Sequence, residues 1–131
     1  MSTQLTRLNI DEFCADVARV WLYLLDQFPK QITLYVDDIV GPDHEDEFGL
    51  KTDRYLRAVS AIAWLESEGY LRFSQQVKQE SFDECVLTAK GLNTLIVRTS
   101  PEGERLCDQL HAALETPSIL PNLILKAIEL A

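Results

Sequence analysis

The stretch from Thr52 to Gly91 limits the fold of this chain more than any other part. It opens with TDRYLRAVSAIAWLESEGYLRF, in which apolar residues recur at helical spacing until Gly69. Glycine adopts at little cost the left-handed backbone that ends a helix, so the helix should stop there. Tyr70, Leu71 and Phe73 then read as one strand, Gln75 to Glu80 as a polar turn, and Cys85-Val86-Leu87 as the returning strand. Thr88 can cap a further helix containing Leu92, Leu95 and Ile96. A helix feeding a two-stranded hairpin requires the rest of the chain to cover one face of that unit.

The flanking sequence supplies the cover. Asn9 followed by Glu12 fits a capping box. Phe13, Val17, Val20, Trp21, Leu24 and Phe28 continue as a helix that Pro29 ends. Leu22, Tyr23 and Leu25 widen its apolar stripe, so this helix is central to the fold or shared with a second subunit. Gln31 to Tyr35 reads as a strand and Val36 to Val40 as a short helix stopped by Gly41-Pro42. Asp43-His44-Glu45-Asp46-Glu47 reads as a solvated acidic loop. It lacks a second histidine and the register of a calcium loop, so no metal site is expected. Thr52 or Asp53 can cap the helix that follows, whose inward side is expected to hold Leu56, Val59, Ile62, Ala63 and Leu65. Arg54, Arg57, Ala61, Trp64 and Glu68 lie along another side, expected to face outward. Ser100-Pro101 reads as a helix start, with Glu102 and Glu104 in its first turn and Leu106, Leu110 and Leu114 as its stripe. Thr116-Pro117 breaks that helix before an apolar tail rich in leucine and isoleucine.

At 131 residues the chain is one domain of ordinary size. No apolar run approaches the roughly 18 residues needed to cross a bilayer, and no secretory signal is visible. Three widely spaced cysteines, Cys14, Cys85 and Cys107, fit reduced thiols in a cytoplasmic protein better than a disulfide framework. The net charge of −9 disfavours nucleic acid, whose nonspecific affinity comes from Lys and Arg on phosphate. That charge is segregated. Residues 51–98 hold seven basic against six acidic groups, while every other segment is net negative.

The Gly69-Tyr70-Leu71 step and the Leu87-Thr88-Ala89-Lys90-Gly91 pattern, in this order, resemble the winged helix-turn-helix superfamily, especially small bacterial regulators. The resemblance covers about residues 11 to 98. It implies a mainly α chain with a small antiparallel β-sheet, a winged helix with additional C-terminal helices. The core would be 1–98, and 99–131 a helical extension of the same compact domain that can serve dimerisation. In DNA-binding members the first half of the third helix meets the major groove. By position this implicates Asp53, Arg54, Arg57, Ser60 and Ala61, with Lys78 among Gln75, Gln76 and Gln79 at the wing tip. Two departures stand against DNA: the turn 41–51 is long and acidic, and the reading helix has only two arginines against three acids.

Two functions therefore remain. One is a transcriptional regulator that binds double-stranded DNA through Arg54, Arg57, Ser60, Ala61 and Lys78. A regulator predicts that Arg54, Arg57 and Lys78 join in one positive stripe. The other is an acidic protein-interaction module without DNA, in which those charges are neutralised by neighbouring acids. Trp64 is its candidate anchor, because interface hot spots favour tryptophan, although such a residue commonly packs inside. Leu123, Ile124 and Ile128 of the tail are candidate partner contacts, and a symmetric homodimer would bury them. No cofactor is implied. Cys85 or Cys107 with His111 makes a poor nucleophile and base, since the thiols lie in apolar elements, and an enzyme is not expected.

Overall fold

The longest helix, α1 (Leu8–Gln27), runs through the middle of the fold in the computed structural model, which describes residues 7–41 and 48–130. The acidic cluster 43–47 lies outside the described residues. Cys14, Val17, Ala18, Val20, Trp21, Leu22 and Leu24 of α1 are all buried, as its wide apolar stripe requires. Its first turn differs from expectation. Arg7 is the capping position without a side-chain cap, and Asn9 lies inside the helix. Glu12 instead turns to the arginines described below.

Strand β1 (Ile32–Tyr35) and helix α2 (Val36–Val40) follow as the sequence suggests. Helix α3 (Asp53–Ser67) starts under the Thr52 hydroxyl, which accepts from the Tyr55 amide at 3.2 Å. It ends at Gly69, whose φ of 85° is the left-handed stop. Beyond it lie β2 (Leu71–Arg72), β3 (Gln75–Val77) and β4 (Ser81–Leu87). Strand β4 is central and antiparallel to its neighbours, with β1 along one edge and β2 and β3 along the other. The segment expected to form a polar turn therefore splits. Gln75–Val77 pairs with Ser81–Asp83, and only the few residues around Lys78 make the tip. Between Ile32↔Cys85 and Leu34↔Phe82, two steps on β1 face three on β4, a bulge beside Glu84 at φ 53°.

The two short motifs meet in space. Thr88 donates to the Gly69 carbonyl and accepts from the Gly91 amide at 3.2 Å. The Lys90 ammonium donates to the Glu68 carbonyl at 2.8 Å and lies 4.4 Å from the Tyr70 ring centroid. A Cβ on Gly91 would overlap the Tyr70 carbonyl oxygen, so this position admits only glycine without backbone movement. The Leu-Thr-x-x-Gly pattern thus clamps the C-terminal end of α3 to the start of α4 (Ala89–Leu92). A π-helical turn, Asn93–Val97, continues α4.

The helix expected from Pro101 begins later. Residues 101–105 form a turn closed by a Thr99–Arg105 bridge, and α5 is Leu106–Ala113. Gly103 at φ 85° is incompatible with a first helical turn there. After a short 3₁₀ turn, Pro117–Ile119, α6 (Leu120–Leu130) returns along α1. Leu120 and Ile124 join the core that α1 centres, so the tail folds back on its own domain. Ile124 is fully buried within the chain, and Leu123 and Ile128 are half-buried against the same core. Ile124 is thus committed inside the chain, while Leu123 and Ile128 keep part of their surface outside it. The architecture is mainly helical with a small antiparallel sheet, and no helix among the described residues is long and apolar enough to cross a membrane.

Candidate interaction surface between the first and third helices

Glu12 and Asp16 are four residues apart on α1 and therefore share a face. On α3 the residues 54, 57, 61 and 64 step by three and four and also share a face. These two faces are packed against each other. Arg54 makes a two-pronged contact with Asp16, its Nη1 and Nη2 donating at 2.9 and 2.7 Å. Its Nε lies 3.3 Å from Glu12. Arg57 donates through Nε to Glu12 at 2.8 Å, with Nη2 at the same distance. Arg19 approaches Asp16 from the other side at 3.7 Å.

Asp16 is 1% exposed, so its carboxylate is nearly removed from water and would be costly to leave without a bonded partner. The planar fork of Arg54 provides one with matched geometry. That hydrogen bond, together with the charges of Asp16 and Glu12, holds the Arg54 guanidinium more firmly protonated despite its partial burial. The arginine side of α3 is therefore a seam with α1: Ala61 is buried and Arg54 half-buried there, while Arg57, Trp64 and Glu68 stay exposed as expected. The expected inward set is corrected accordingly. Tyr55, Ala58, Val59, Ala61, Ile62 and Leu65 are buried, while Leu56 and Ala63 sit at the margin. On the exposed stripe that holds Asp53, Ser60 and Ser67, the cation is Arg57, and it is bonded to Glu12.

The expected stripe of Arg54, Arg57 and Lys78 is consequently reduced. Lys78 is exposed at the wing tip with φ 53°, its carbonyl accepting from Gln76 at 2.7 Å. Ser60 is exposed on α3, whereas Ala61 is 5% exposed and has little surface to offer a DNA base.

Above the seam the helices leave an open hollow of about 410 Å³. Ile10, Phe13 and Trp64 give it apolar walls, and Ser60, Ala61 and Arg57 line the α3 side. Trp64 is both a packing residue and a surface residue. Phe13 meets its ring edge-on at 5.3 Å and Tyr70 stacks on it at 6.4 Å, yet 36% of it remains exposed. Sequence reasoning found Arg57, Ser60, Ala61 and Trp64 but missed Ile10, Phe13, Glu12 and Asp16 as their neighbours. One signal was available: Asp16 interrupts the apolar stripe of α1 beside Val17, and an acid in that place needs a cation.

The three thiols lie elsewhere. Burial pushes Cys14 up to about 11, with Asp11 adding to the effect, and pushes Cys85 up to about 12. Cys107 is also raised, first by burial and then by Asp108. Such thiols hold little thiolate at neutral pH. His111 is exposed on α5. Among the described residues no group of three or more His, Cys, Asp and Glu side chains is placed to hold a metal ion. No protein-family model, curated protein or solved structure matches this chain closely enough to supply a family.

Proposed function

We propose that this chain is a non-enzymatic winged-helix module that binds a protein partner, and not DNA, through the hollow between α1 and α3. The order α1-β1-α2-α3, then a hairpin whose last strand pairs with β1, supports the winged-helix reading. The observation that carries the choice of partner is the pairing of Arg54 and Arg57 with Asp16 and Glu12 of the same chain. A phosphate would have to displace carboxylates already bonded at close range, on a chain of net charge −9. The hollow instead suits an apolar side chain set against Trp64 and Phe13, with Arg57 and Ser60 at the rim for polar contacts.

Two measurements test this reading. Fluorescence anisotropy with a labelled mixed-sequence duplex, at about 50 and about 200 mM salt, should show no salt-sensitive binding. Binding that collapses between those salts would overturn the choice against DNA. A photo-crosslinking residue at position 60, on the exposed side of the hollow, should give one reproducible protein adduct in cells, absent with Trp64→Ala. Failure to form any adduct would overturn the partner assignment.

A further inference from the structure

A second cavity, of about 200 Å³, lies between the π-helical turn, the 99–105 turn, α5 and α6. Its walls differ from those of the α1–α3 hollow. Arg98 and Lys126 supply two cations, Glu102 and Glu104 two anions, and Leu106 and Leu123 an apolar floor. Among the described residues, none of these four charged side chains takes part in an ion pair or a side-chain hydrogen bond. They gather around one cavity and leave one another unpaired.

The turn that carries the glutamates is tied down. Ser100 and Glu104 exchange contacts, with the Ser100 amide donating to the Glu104 carbonyl at 2.7 Å and the Glu104 amide to the Ser100 hydroxyl at 3.1 Å. The Gly103 amide closes the turn on the Ser100 carbonyl at 2.8 Å. On the other side, the segment leading to Arg98 is wound as a π-helix, a local irregularity that often accompanies binding sites.

From this arrangement we propose that the cavity binds a free α-amino acid with an apolar side chain. Both signs of charge are present, so a simple anion would be opposed by Glu102 and Glu104, and a simple cation by Arg98 and Lys126. A zwitterion satisfies both pairs at once. Its carboxylate faces Arg98 and Lys126, its ammonium faces Glu102 and Glu104, and its side chain rests on Leu106 and Leu123. The volume is below the roughly 300–1,000 Å³ of drug-sized sites and limits the occupant to a small metabolite. This site is separate from the α1–α3 hollow and does not depend on the function proposed there.

The test is a thermal-melt and calorimetric titration of the full chain with L-leucine, L-methionine and L-phenylalanine. Beside them run 4-methylpentanoate, which is leucine without the amine, and 3-methylbutylamine, which lacks the carboxylate. At least one amino acid should raise the melting temperature in a saturable way, and neither leucine analogue should do so at the same concentration. Arg98→Gln and Lys126→Gln should each weaken that binding by about tenfold or more, the order expected for loss of a charge-assisted contact. Lys126 is exposed on α6, so its variant keeps the test valid if Arg98→Gln does not fold. No effect of any of the three amino acids at about 10 mM, ten times a dissociation constant of 1 mM, would overturn the proposal. So would equal binding of an analogue, or binding that neither substitution weakens.

Discussion

The seam between α1 and α3 and the cavity beside α5 both gather charge, yet they handle it in opposite ways. At the seam, Glu12 and Asp16 are bonded to Arg54 and Arg57 within 3.3 Å. Around the cavity, Arg98, Lys126, Glu102 and Glu104 form no ion pair among the described residues. Burial explains the contrast. Asp16 is 1% exposed and would be costly without its arginine, whereas the cavity groups stay in contact with water and can remain unpaired. Counting charges along the chain treats both regions alike. Function depends on which charges are already bonded, and Arg54 and Arg57, the two arginines of the candidate DNA-reading helix, are engaged within the chain.

Substitutions can break this comparison. The largest effect is expected at Arg54. Arg54→Ala strands a nearly buried carboxylate and should cost about 3 kcal/mol in urea unfolding at neutral pH. A loss well below 1 kcal/mol would mean that Asp16 is solvated and the seam is not a structural contact.

The thiols sharpen the comparison next. Cys14 lies on α1, the helix of the seam, while Cys107 lies on α5 next in sequence to Leu106 of the cavity. Cys14 and Cys85 have pKa values raised from 9.0 to about 11 and about 12 in the fold, so the native state holds their protons longer than the unfolded chain. Their contribution is complete below about pH 9 and is lost as pH rises through 11 to 12. Unfolding free energy should therefore fall over that window, and a Cys14→Ala/Cys85→Ala variant should show a shallower fall. At pH 7, a thiol reagent should modify Cys107 first and reach the other two at the rate of unfolding.

Arg57→Ala should cost less than about 1 kcal/mol, because Arg57 is 43% exposed and its partner Glu12 remains 18% exposed. A cost equal to that of Arg54→Ala would make the seam one cooperative network. The smallest effects belong to the cavity. Lys126→Gln and Glu102→Gln should change stability by no more than about 0.5 kcal/mol, since neither side chain is bonded among the described residues. A clear loss from either would show that the cavity charges are structural, as those of the seam are.

Much of the fold was legible where local chemistry decides it. A cap at Thr52 or Asp53, a stop at Gly69, a strand from Gln31 to Tyr35 and the 87–91 pattern need only their neighbours to be understood, and the structure caps α3 with Thr52 and begins the strand at Ile32. Three features were not read from the sequence. The rotation of α3 follows from its second contact with α1, which places Tyr55 and Ala58 in the core and leaves Leu56 at the margin. Asn9 is passed over as a cap because α1 begins earlier, at Leu8. The late start of α5 follows from the Thr99–Arg105 bridge, although Gly103 was a visible warning against a helix at Pro101. At the candidate site the sequence offered Arg57 and Trp64, but their partners Glu12 and Phe13 lie about 45 and 51 positions away in the chain and could not be paired with them by spacing.

The most direct test of the account is a double-mutant cycle on Asp16 and Arg54, measured by urea unfolding. The account predicts that Arg54→Ala costs at least about 1 kcal/mol less in the Asp16→Ala background than in the wild type, because the stranded carboxylate is gone. Costs that agree within about 0.5 kcal/mol in the two backgrounds would contradict it and return Arg54 to the set of cations available to DNA.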